Sequence, residues 1–314
     1  MALSRSLFGP VGVLALSAAL VVTTLGVSGA SATTRPATPG AKDASVSDGT
    51  VHRVQDARRS ATTGFAGRLP TGVPESVIGK DSRKRVTDTT TFPARAIGQI
   101  DFVQDGSSYI CTGWLIDANS ILTSGHCSYT PDGNQGNIIE AAQFTAGRNG
   151  ATEPFATCPV YQVYSPIEWR RDGSAEDDWS VMQLGTDPDT TCDIGNTVGW
   201  FGMGYRGGKN TLKGVKATVQ GYPGDKKQGT QWTMKGKIVE STKTSVYYKM
   251  DTFGGQSGSP VFEPKGAKCG DTPCGMAVHS YGAGSAPSGG KANSGPRITK
   301  SRFNTITTYI AQNG

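Results

Sequence analysis

From about residue 76 onward, the chain consists of short runs in which apolar and polar residues alternate, such as ARAIGQIDFV at 94–103 and ATVQGYPG at 217–224. A period of two sends successive side chains to opposite faces of a strand, so these runs predict many short strands rather than long helices. Gly, Thr and Ser fill the stretches between them. The region comprises about 240 residues, a size at which an all-β domain can fold as one unit. Near the C-terminus the period lengthens: Phe303, Ile306 and Ile310 of ITKSRFNTITTYIAQ fall on one face of a predicted closing helix.

Two earlier stretches break the pattern. In the first, Arg5 precedes the apolar run LFGPVGVLALSAALVVTTLGV, which ends in the small-residue site Ala30-Ser31-Ala32. A basic residue, an apolar core and a small-residue site in that order predict a signal peptide over 1–32 and an extracellular, secreted product. The run is also long enough for a membrane anchor, but its Gly, Pro and Ser/Thr content favours cleavage. No later segment has the length to span a bilayer. The second stretch, 33–75, is Thr, Ala, Ser, Pro and Gly with scattered charge, too poor in large apolar residues to offset its chain entropy. It reads as a propeptide.

A formal charge of +6 is modest and dispersed, with no basic run interleaved with aromatics, so no nucleic-acid partner is expected. Six cysteines, at 111, 127, 158, 192, 269 and 274, all lie beyond the propeptide. An even number in an exported chain reads as disulfides; the alternative, zinc, lacks Cys-x-x-Cys or paired-His spacing. GMGYRG at 202–207 fits a dinucleotide fingerprint in letters only, because no helical pattern follows it.

A nucleophile working near neutral pH needs a base beside it, and histidine is the usual one. Beyond the propeptide there are two, His126 and His279. His126 lies in NSILTSGHCSY, where a strand pattern runs into a small-residue turn, and a Cys111–Cys127 bridge across the hairpin would pin its loop. An acid must accept from the far ring nitrogen, and Asp178 immediately precedes the alternating run WSVMQL. Glu176 and Asp177 read as solvated loop acids. Ser257 in GGQSGSPVF is flanked by glycines that let the N–H groups of Gly255 and Ser257 converge on one oxyanion. The order His, Asp, Ser excludes an α/β-hydrolase, whose order is Ser, Asp, His.

CTGW at 111–114, TSGHC at 123–127, DWSVMQL at 178–184 and GGQSGSPVF at 254–262 resemble the chymotrypsin-like serine proteases. More narrowly, they resemble secreted bacterial glutamyl endopeptidases of the staphylococcal V8 and Bacillus type, and the likeness runs from SVIGKDSRKRVTDTT at 76–90 to RITKSRF near the C-terminus. The resemblance implies an all-β fold of two six-stranded barrels, over 76–195 and 196–314 with the closing helix, and a cleft between them. Two departures stand out. Gln256 replaces the aspartate that pairs with the new N-terminus in trypsin-like zymogens. Cys158 and Cys192 are not a feature of the Bacillus members; with Cys111–Cys127 expected and Cys269 near Cys274, they are left to each other, with connectivity open.

Specificity has two competing readings. Asp251 lies six residues before Ser257, the spacing that gives trypsin-like enzymes Lys/Arg selectivity. The resemblance instead assigns glutamate recognition to His279 and Thr252, assisted by the amino group of a mature terminus at Ser76, and pairs Ser280 to Gly282 with substrate backbone as an added strand. Glu75 immediately before Ser76 then makes self-maturation an expectation. The reading is a monomeric endopeptidase acting on proteins and peptides, with no membrane partner once the signal is removed. It needs no cofactor and no metal, and structural calcium is left open because no acidic loop has the spacing of a calcium site. A catalytically silent binding module is the rival from another class.

Overall fold

The computed structural model describes residues 52–54, 76–265, 269–270 and 272–313. The expected signal peptide and most of the expected propeptide lie outside them. Six strands form the first barrel: Ile97–Gln104, Ser107–Leu115, Ser120–Thr123, Ala141–Ala146, Thr157–Tyr164 and Ser180–Asp187. Pairing of Thr157–Tyr164 with Ser180–Asp187 closes the ring. The alternating run at 94–103 forms the first of these strands, with Ile100 and Phe102 fully buried on one face. Gln99 and Asp101 occupy the other, where Gln99 Nε2 donates to Asp101 Oδ1 at 2.7 Å and Arg148 donates to Asp101 Oδ2 at 3.1 Å. Burial is the larger influence on Asp101 and raises its pKa, with Arg148 opposing.

The second sheet follows the path Cys274–Val278, Pro260–Glu263, Lys216–Gly221, Trp232–Ser241, Ser245–Tyr248 and Lys291–Pro296. Its ends meet through a single bridge, Ala277 to Arg297, rather than a ladder. Trp114 of the first barrel and Phe262 of the second both pack on Phe201, at ring separations of 5.3 and 5.2 Å. Such aromatic burial holds the barrels together, at roughly 1.5–3 kcal/mol for each large side chain.

Both chain ends of this region cross between barrels. Lys84–Arg85 pairs with Trp232 and Thr233, so the stretch after residue 76 runs along the second sheet, although the sequence reading grouped 76–195 with the first barrel. The closing helix, Lys300–Asn313, follows the second barrel but packs on the first. Ile306 and Tyr309 are its buried apolar residues, Gln162 Nε2 donates to the Tyr309 hydroxyl at 3.1 Å, and buried Arg302 donates to the Glu176 carbonyl and, at 3.0 Å, to Asp177 Oδ1. Asp177 is thus paired rather than simply solvated.

The cysteines form three bridges, Cys111–Cys127, Cys158–Cys192 and Cys269–Cys274. After the strand Gly202–Met203, GMGYRG continues into turns without a helix. One departure concerns the expected propeptide: His52–Arg53 is a strand paired with Gln162 and Val163, and Val54 donates to the Tyr161 carbonyl at 2.9 Å. Backbone pairing along the end of Thr157–Tyr164 that extends past its ladder with Ala141–Ala146 orders three residues whose composition predicted none.

Candidate active site

His126 sits in a tight turn, Gly125–Cys127, directly after the strand Ser120–Thr123, and the bridge to Cys111 ties that turn to the neighbouring strand. Its backbone N–H donates to Asp178 Oδ1 and its Nδ1 lies against Asp178 Oδ2, each at 2.8 Å. One carboxylate therefore holds both the loop and the ring. Asp178 is fully buried at the entry to Ser180–Asp187, as the sequence pattern predicted, and its own carbonyl accepts the Ser280 hydroxyl at 3.1 Å. A carboxylate at Nδ1 keeps the proton there and leaves Nε2 as the basic nitrogen.

The Ser257 turn is held against the strands Ser107–Leu115 and Ser120–Thr123 by interlocking contacts. Thr112 N–H donates to the Ser257 carbonyl at 2.8 Å, and Thr123 Oγ1 donates to the Thr112 carbonyl at 2.8 Å. Gly258, at φ +89°, has no room for a side chain: a Cβ would stand 1.9 Å from Thr112 O and 2.2 Å from Thr123 Oγ1. The serine turn thus abuts the strand end that leads into His126.

The two peptides of the expected oxyanion hole have fixed orientations. Gly224 N–H donates to the Gly254 carbonyl at 2.7 Å, and Ser259 N–H donates to the Gln256 carbonyl at 2.9 Å. In a trans peptide the N–H points opposite to the C=O, so both contacts set the directions of the Gly255 and Ser257 N–H groups. Gly255 adopts φ +95°, where a Cβ would lie 2.6 Å from Tyr222 O.

The predicted specificity residues also gather. His279 is fully buried, with Nδ1 2.6 Å from the Tyr248 hydroxyl. Thr252 is fully buried too, and its Oγ1 has no hydrogen-bond partner among the described residues. The Ser76 carbonyl accepts from Asn293 Nδ2 at 2.9 Å and faces Thr252 N–H at 3.5 Å, which places residue 76 at this pocket. Asp251 points elsewhere: its Oδ1 and Oδ2 accept the N–H groups of Ile78 and Ser82, both at 2.9 Å. Ser280 N–H pairs with the Ser294 carbonyl at 3.1 Å, and Gly282 lies in the edge strand Tyr281–Ser285 that follows.

Sequence reasoning missed Tyr248 and Asn293, which carry no local signal and reach the pocket only through strand register. It gave Tyr281 only a backbone part in the Ser280 to Gly282 segment and missed its side chain, whose ring centroid lies 6.4 Å from that of His126 and whose pKa is raised, first by burial and then by the Asp178 carboxylate.

The sequence profile described as Trypsin matches residues 88–295, about two thirds of the chain. The chain belongs to the trypsin family of chymotrypsin-like serine proteases. This protease is 38% identical to a glutamyl endopeptidase of Bacillus licheniformis over 82% of its own length and 76% of the relative's. It is 35% identical to a Bacillus subtilis protein named extracellular metalloprotease, over 76% and 71% of the two chains. Among solved structures, a Glu endopeptidase in complex with MPD superposes with a TM-score of 0.61 at 30% identity, covering 75% of the protease and all of that chain.

The protease is a hydrolase with the two-barrel fold. Among the described residues, no helix is long and apolar enough to cross a membrane. The metal implied by the second relative's name finds no fitting donor set there either: the single candidate cluster is Cys111, His126 and Cys127, whose sulfurs are bonded to each other and unable to act as thiolate ligands.

Proposed function

We propose that the protease cleaves proteins and peptides after glutamate, and more weakly after aspartate, as an extracellular monomer. The observation that carries this reading is the pairing of buried His279 with Tyr248, while both oxygens of Asp251 are occupied by backbone. A phenol donating to Nδ1 leaves the His279 proton on Nε2, a donor for a substrate carboxylate, and Thr252 Oγ1 supplies a second. A substrate lacking the carboxylate leaves these buried donors unmatched, at a cost of roughly 1–3 kcal/mol each. An Asp251 facing a bound lysine or arginine would carry the rival specificity; its carboxylate instead anchors the segment after residue 76.

In the proposed reaction, the Ser257 hydroxyl attacks the scissile carbonyl as His126 Nε2 takes its proton. The oxyanion is held by the N–H groups of Gly255 and Ser257. His126 then protonates the departing amine, and a water activated by the same imidazole releases the acyl group. The substrate strand lies along Ser280 to Gly282.

Maturation is proposed between Glu75 and Ser76, freeing the amino group of the same residue whose carbonyl is already held by Asn293. Mass spectrometry of a peptide-library digest tests the whole reading: cleavage after glutamate that His279→Ala selectively removes is the expected result. Labelling of Ser257 by an organophosphonate excludes a silent binding module.

A further inference from the structure

Arg83 is an interior cation with an unusual address. Its side chain is fully buried, and its neighbours Lys84 and Arg85 are paired into the second sheet, so its backbone is held in place. Nε and Nη2 donate to Asp81 Oδ1 and Oδ2 at 3.0 and 2.9 Å; Nη1 donates to Asp225 Oδ1 at 3.0 Å, and Nη2 also reaches Asp225 Oδ2. The remaining contact runs from Nη1 to Gln256 Oε1 at 3.3 Å. Gln256 Oε1 accepts the Phe253 N–H at 3.1 Å as well, closing the turn before Ser257.

Two of the three side-chain targets, Asp225 and Gln256, bracket the oxyanion peptides. Asp225 adjoins Gly224, which fixes the Gly254–Gly255 peptide through the Gly254 carbonyl; Gln256 contributes the carbonyl that fixes the Gln256–Ser257 peptide. Both donor directions are therefore traced to one guanidinium. A buried cation is retained only where its charge is matched, and here Asp81 and Asp225 match it: burial works to lower the Arg83 pKa, yet the two carboxylates raise it. Lys226 adds a 2.8 Å contact to Asp81 that balances the cluster. A fork with this geometry fixes orientation in a way a point charge does not.

We propose that Arg83 is a positioning residue for the oxyanion loop, holding the Gly255 and Ser257 N–H groups in place through Gln256 and Asp225. This rests on Ser257 being the nucleophile. Arg83 fills from the chain interior the role left open by Gln256, so the loop is pinned independently of any free terminus.

The test is a double-mutant cycle on the mature protease, with Arg83→Met, Gln256→Met and the pair assayed on a Glu-containing peptide substrate. Each single variant should lower kcat by about 10- to 100-fold with KM within about threefold, because donors aimed at the transition state are lost while ground-state contacts persist. The pair should be less impaired than the product of the two single losses, since both break the Arg83–Gln256 contact. Wild-type kcat in folded Arg83→Met, or losses that multiply in the pair, overturns the positioning role. If Arg83→Met does not fold, Asp225→Asn takes its place in the same cycle with the same criteria. Wild-type protein that fails to react with an organophosphonate at Ser257 overturns the nucleophile assignment and the positioning role with it; a labelled wild type with an unaffected Arg83→Met overturns the positioning role alone.

Discussion

The hydroxyl of Tyr248 lies 2.6 Å from Nδ1 of His279, and both side chains are fully buried. The phenol thereby sets the tautomer and the tilt of the imidazole on the pocket wall. Tyr248→Phe keeps the ring and removes that hold. Its kcat/KM on glutamate substrates should fall about tenfold, in line with the loss of one buried hydrogen bond, while cleavage after an uncharged residue changes little. Steady-state assays on paired Glu and Gln peptides measure the ratio; an unchanged ratio removes Tyr248 from specificity.

Asp251→Asn separates anchoring from selectivity. The variant keeps one carbonyl oxygen where the structure uses two, so either Ile78 or Ser82 loses its acceptor. Stability should drop by about 1–3 kcal/mol, read by thermal denaturation, with the preference for glutamate retained. Wild-type cleavage after arginine, abolished in the variant, would instead make Asp251 the base of a trypsin-like pocket.

The pH profile should follow His126. Neutral imidazole is the active form, so kcat/KM should rise as the base loses its proton in an assay run from about pH 5 to about pH 9. Asp178→Asn should lower kcat on the order of 10⁴-fold by reversing the tautomer that the 2.8 Å contact maintains. A flat profile across that range counts against His126 as base.

Self-maturation can be checked by sequencing N-termini. Glu75→Gln and Ser257→Ala precursors, made in a host lacking proteases, should both retain the propeptide. A normal Ser76 terminus in either one shows that another enzyme makes the cut.

The strand at 52–54 should leave the barrel in acid. Arg170 Nη1 donates to His52 Nε2 at 3.2 Å, so that nitrogen must be unprotonated, and the Tyr129 ring packs edge-on at 5.8 Å. Burial first, then Arg170, lowers the His52 pKa. The docked strand binds fewer protons than the free one, so docking is fully present above the ordinary value of about 6.5 and weakens as pH falls through it. In a Ser257→Ala precursor, protection of the Val54 amide against hydrogen exchange, taken relative to its intrinsic rate at each pH, should fall between about pH 8 and about pH 5, and His52→Phe should remove the dependence. Equal pH sensitivity in both proteins would place the titrating group elsewhere.

What the sequence revealed was local. TSGHC, DWSVMQL and GGQSGSPVF each hold a reactive residue within a few positions of the turn or strand that presents it, so motif and geometry coincide. Periodicity likewise exposed the many short strands and the closing helix, whereas the division into two barrels came from the family resemblance. The hidden contacts join distant segments: Arg83 and Gln256 are 173 residues apart, and Tyr248 and His279 are 31 apart. Their meeting depends on register and on which sheet the segment after residue 76 joins, and neither leaves a mark in hydrophobic patterning. Asp251 illustrates the converse. Its spacing from Ser257 suits a cation pocket, and only the backbone it grips at 78 and 82 gives that spacing a different use.

The helix Lys300–Asn313 ties down the loop just ahead of Asp178, because Arg302 holds both Glu176 and Asp177. The order of synthesis gives this arrangement a temporal meaning. A chain leaving the ribosome N-terminus first has exposed its histidine, aspartate and serine before the helix that braces the aspartate's loop has emerged. The growing polypeptide therefore carries all three groups in advance of that support, and the loop is fastened only after the helix has followed.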